Sequence, residues 1–121
     1  MLDYVAWFFG GFFLTNAIPH LVSGMTGRAF PTPFGRPFGR GESSAVLNVL
    51  WSAPNLVLGY LLIFKVGNFD VRALDDAGCV GLGGVALALF LAMTAGPLYG
   101  GNRPQSFEDL RSNGPKLRLD E

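Results

Sequence analysis

Seven polar side chains lie in stretches that are otherwise apolar, and any chemistry would fall to them: Asn16, His20, Asn48, Ser52, Asn55, Thr94 and Tyr99. Asn16, His20 and Ser23 recur at i, i+4, i+7, so on a helix they share one face. Ser44, Asn48, Ser52, Asn55 and Gly59 do the same along a second stretch. If the two stretches run antiparallel, Asn16 and His20 fall near the level of Asn48 and Ser44, and Thr94 and Tyr99 of a third stretch fall close to it. These seven residues form the candidate ligand site, a polar cavity for a lipid, a quinone-like molecule or a pigment.

His20 is the only histidine. It could carry a proton, sense pH or bind a haem or chlorin axially. The plainer reading is an interfacial histidine hydrogen-bonded to an asparagine or a headgroup. For the asparagines, the plainer reading is hydrogen bonding between helices, worth about 1 kcal/mol per contact. A metal centre of protein ligands alone is not expected, because Cys79 is the only cysteine and no second histidine accompanies His20. No catalytic residues are assigned: no serine sits in a nucleophile elbow, and the acids lie in loops or tail. The spans carry no carboxylate of the kind that proton-coupled exchange uses. The chain therefore reads as a non-enzyme in preference to an enzyme, a catalytic role staying open with no residue set to assign it. No cofactor is expected, a haem or chlorin on His20 being the one alternative.

What must position these residues follows from composition. Half of the 121 residues are hydrophobic and 15% are charged, against about 25% in soluble domains. Eleven Phe, two Trp and three Tyr exceed what so short a soluble chain could cover. The formal net charge of zero argues neither for nucleic acid nor for an acidic partner, and no nucleic-acid partner is expected. Charged residues leave gaps at 4–27, 43–64 and 77–102, and about 20 apolar residues in a helix cross the roughly 30 Å hydrocarbon core. The predicted fold is an all-α membrane protein with spans at about 4–22, 45–64 and 79–99 in a small bundle, forming a domain over 1–102, followed by a polar tail over 103–121. The start, Met1-Leu2-Asp3, has an acid where a signal peptide needs Lys or Arg, so the first stretch reads as a span.

Three spans put the first loop and the tail on one side. That side collects Arg28, Arg36, Arg40, Arg103, Arg111, Lys116 and Arg118, and the other has only Lys65 and Arg72. This bias predicts an outside N-terminus and a cytoplasmic C-terminus in the cell inner (plasma) membrane. The loop over 24–43 repeats Pro33-Phe34-Gly35-Arg36 as Pro37-Phe38-Gly39-Arg40, which forbids a regular helix. Phe30, Phe34 and Phe38 are expected to dip toward the acyl boundary, with Arg36 and Arg40 meeting lipid phosphates or a partner.

Glu42-Ser43-Ser44 offers capping chemistry to the second helix. Pro19, Pro54 and Pro97 each free a carbonyl, and Ser52 and Asn55 could satisfy the one at Leu50. In the third span Gly81, Gly84, Ala88 and Ala92 form a small-residue packing face. The leading expectation is a small accessory or structural membrane subunit that packs with itself or a larger complex, with membrane lipids as its other partners. The alternative is the binding or transport module around His20.

Overall fold

The computed structural model describes residues 1–37, 41–101, 106 and 111–112. Helix α1 covers Leu2–Met25, α2 Ala45–Phe64 and α3 Leu74–Tyr99. All three are long and apolar enough to cross a membrane. Helix α2 has the predicted bounds, whereas α1 and α3 overrun 4–22 and 79–99. Asp3, Asp75 and Asp76 fall in first turns, where acids complement the helix dipole, so charge does not stop the helix there. Ser44 caps α2, its hydroxyl accepting from the Leu47 amide at 3.2 Å.

Between α1 and α2 the loop pairs two short strands, β1 (Phe30–Pro31) and β2 (Glu42–Ser43), antiparallel, with Phe30 opposite Ser43 and Pro31 opposite Glu42. Phe38, Gly39 and Arg40 of the second repeat lie outside the described residues, as does nearly all of the polar tail.

The chain divides into two compact units, Met1–Leu89 and Phe90–Glu121. In the second, the Thr94 hydroxyl donates to Phe90 O of its own helix at 2.9 Å, and the Gly101 amide donates to Gly96 O at 3.0 Å. The first unit is organised around α1. Its Gly10 and Gly11 are neighbours in sequence and so point about 100° apart around the helix. A methyl group on Gly10 would strike Ile63 and Gly59 O of α2, and one on Gly11 would strike the Val80 carbonyl of α3. Adjacent glycines therefore let two helices approach two sides of α1. Beside them Leu14 packs over Gly59, and Gly83 lies against Phe8 O.

Burial on α2 is the reverse of that in a soluble amphipathic helix. Its buried residues are Asn48, Ser52, Asn55, Gly59 and Ile63, while Val46, Leu50, Val57, Tyr60, Leu61 and Phe64 are exposed. The polar stripe faces α1, and the apolar sides face out.

At the α3 end of this unit, the Trp7 indole donates to Val66 O at 2.9 Å and meets Tyr4 and Phe69 edge to face. Tyr4 donates to Asp75 at 2.8 Å, and Asp76 accepts the Asp70 amide at 2.9 Å.

Candidate functional site

Asn48 is fully buried and carries most of the polar bonding. Its Nδ2 lies 3.0 Å from Phe30 O, 3.1 Å from Ser43 O and 3.0 Å from Ser44 O. Three carbonyls around one nitrogen identify it as the NH2 group, with two protons serving three acceptors. Asn48 Oδ1 is therefore the atom 2.7 Å from His20 Nδ1, and Nδ1 must be the donor. In the neutral imidazole this places the ring proton on Nδ1 and leaves Nε2 as the lone-pair nitrogen. Nε2 has no hydrogen-bond partner among the described residues. His20 itself is 3% exposed and takes the Phe30 ring edge to face at 5.3 Å.

One helical turn or more away, Asn16 Nδ2 donates to Asn55 Oδ1 at 2.9 Å, and Asn55 Nδ2 donates to Trp51 O at 2.7 Å. Ser52 turns back on its own helix, donating to Val49 O at 2.6 Å. The side chains of Ser52 and Asn55 thus serve the carbonyls on either side of Leu50, not the one that Pro54 frees. The α1 and α2 members of the predicted site form two cross-helix pairs, His20 with Asn48 and Asn16 with Asn55. Thr94 and Tyr99 belong to the second compact unit, where both are exposed.

The loop is tied down by a buried pair that the sequence does not signal, one member of which, Ser43, is expected only as capping chemistry. Thr32 and Ser43 share a hydrogen bond between their hydroxyls, and Thr32 Oγ1 also accepts the Phe34 amide at 3.2 Å. Thr32 and Ser43 are eleven residues apart, so no helical or strand period links them and the spacing carried no signal. Phe30 turns inward onto His20 instead of outward to lipid. Phe34 is 60% exposed and packs at 90° on Trp51, whose buried indole nitrogen has no hydrogen-bond partner. Arg36 is exposed; Phe38 and Arg40 lie outside the described residues.

The small-residue face of α3 is only partly used. Gly84 approaches Thr15 of α1, but a methyl group added at Gly81 would meet open space. Val80 and Gly83, not Gly81, make the close backbone contact with α1. Gly81, Gly84 and Ala88, with Val85, instead line one wall of an open apolar groove of about 440 Å³, and Gly11, Leu14 and Thr15 line the other. Ala92 lies beyond this unit, in an exposed position.

Among the described residues no group of three or more His, Cys, Asp or Glu could hold a metal ion. No protein-family model, curated protein or solved structure matches the chain.

Proposed function

We propose that this chain is a small multi-pass membrane subunit that packs with copies of itself or into a larger membrane complex. The observation that carries the reading is the inverted burial of α2, with polar side chains inward and apolar ones outward. In water such a face would be an aggregation hazard, whereas in a bilayer it is the solvent-compatible face. Helix α3 supports the assembly half of the reading. Only 11% of its most apolar stretch is buried, against 28% in α1 and α2, and the groove beside Gly81 and Ala88 would admit another helix at short range. Orientation with the N-terminus outside rests on the Lys and Arg bias between the two sides.

Gly81→Leu separates assembly from folding. A Cβ there meets no atom within 4 Å and the rest of the leucine runs into the open groove, so thermal stability of the chain should change little while the groove is filled. Native electrophoresis of gently solubilised membranes should show a particle larger than one 13.0 kDa chain, and the variant should run smaller. A wild-type particle containing a single copy and nothing else would refute the assembly reading. Labelling of Cys79 from the outer face of intact cells, before extraction, checks the orientation.

The bare Nε2 of His20 favours a second reading, a binding module in which that nitrogen accepts a hydrogen bond from a lipophilic ligand or ligates a haem or chlorin metal. Protein purified from its membrane should then carry a bound molecule, detectable by absorbance or by mass spectrometry of a solvent extract. His20→Phe should lose it. A colourless preparation with no co-purifying small molecule removes this reading and leaves the first intact.

A further inference from the structure

We infer that the loop between α1 and α2 is an anionic-phospholipid site, in which Arg28 and Arg36 bind the headgroup phosphate of a lipid whose tails lie along the exposed apolar sides of α1 and α2. The inference rests on the reading that these helices lie in a bilayer.

The described residues of the loop are tied at both ends. Helix α1 stops at Gly27, which takes φ +73°, and the Gly27 amide donates to Gly24 O at 3.1 Å while the Arg28 amide donates to Ser23 O at 2.8 Å. This paired closure of a helix end fixes where Arg28 leaves the helix. Further on, the Gly35 amide donates to Thr32 O at 3.1 Å and the Gly41 amide donates to Pro37 O at 2.8 Å. Gly35 and Gly41 lie so close that a methyl group on Gly35 would collide with the Gly41 carbonyl, and one on Gly41 with the Arg36 backbone. Arg36 is thus carried on a compact tip whose base is held by the buried Thr32–Ser43 pair and by Asn48.

Charge selects the partner. Arg28 and Arg36 are exposed, and among the described residues neither makes an ion pair. The acid of the loop is Glu42. At the other end of the same unit Asp3, Asp70, Asp75 and Asp76 outnumber Lys65 and Arg72. Met25, Val22, Ile18, Val46 and Leu50 are exposed on the helix turns next to the loop. Two exposed guanidiniums on a loop that joins two helices with exposed apolar ends match a phosphate on acyl chains, and a free anion would leave those apolar ends unused.

Native mass spectrometry of the full chain in mild detergent, titrated with phosphatidylglycerol or phosphatidylcholine, tests this. Phosphatidylglycerol should bind more tightly, and 0.5 M salt should weaken it but not phosphatidylcholine. In the Arg28→Gln/Arg36→Gln variant retention should fall about thirty-fold, at roughly five-fold per cation. An Arg28→Lys/Arg36→Lys variant should keep most of the preference. Equal binding of the two lipids, indifference to salt in the wild type, or an unchanged glutamine variant would each overturn the inference. Inorganic phosphate binding as tightly as the lipid would mean a free-anion site and would also overturn it. If the glutamine variant loses its helical circular dichroism, the wild-type salt series and the lysine variant decide. The readout is the same for one copy or an assembly, so a failed assembly test leaves it standing, and its own failure leaves the assembly reading standing.

Discussion

Asn48→Leu should destabilise the protein by about 3 kcal/mol, read as a lowered midpoint in a denaturant titration followed by tryptophan fluorescence. Leucine keeps the branching of asparagine, with two methyl groups in place of the amide oxygen and nitrogen, but makes none of its bonds. Removing the amide strands the His20 Nδ1 proton and takes the side-chain donor from Phe30 O, Ser43 O and Ser44 O. A buried polar group left without its partner costs about 1–3 kcal/mol. Ser44 O keeps the Asn48 backbone amide at 3.0 Å, so its loss is the smallest of the four. Asn48→Asp, nearly isosteric, should be at least as damaging, because a carboxylate oxygen would replace the NH2 group among three carbonyl oxygens. An Asn48→Leu protein with wild-type stability would mean that the loop is not held by this side chain.

Gly11→Val is expected to cost about 3 kcal/mol and to separate α3 from α1 locally. The added atoms fall on the Val80 carbonyl, which is backbone and cannot rotate away, so this site lies at the upper end of the 1–3 kcal/mol typical of overpacking. Cys79, the neighbour of Val80, reports the movement. It is half-buried, and its reaction with a maleimide in detergent should be several-fold faster in the variant. Gly10→Val gives the matching control: it presses on the α2 side, against Ile63, and should leave Cys79 reactivity near the wild-type value. Equal labelling in Gly11→Val and wild type would rule out the close α1–α3 approach.

The three helices were legible because an apolar run free of charge is a strong signal that needs no tertiary context. Pairing of the polar stripes was legible for a related reason. Asn16, His20, Asn48 and Asn55 recur at helical spacing in apolar surroundings, where an unpaired amide is costly, so each had to find another. What the pattern could not supply was the partner of each donor. Asn48 spends its amide on carbonyls of the loop, and the glycine and proline of the repeat mark that loop only as irregular. On α3 the reading named Gly81 along with Gly84, yet Val80 and Gly83 make the close contact. Three glycines within four positions, Gly81, Gly83 and Gly84, leave the rotation of the helix undetermined until its neighbour is present.

The two cross-helix pairs also bear on how the chain would enter a membrane. A solitary α1 would bring Asn16 and His20 into hydrocarbon unmatched, and a solitary α2 would bring Asn48 and Asn55. As a hairpin, with the loop already folded over Asn48, these four side chains are matched within the hairpin. For a chain that enters a bilayer, the unit with the lowest insertion cost would thus be the α1–loop–α2 hairpin.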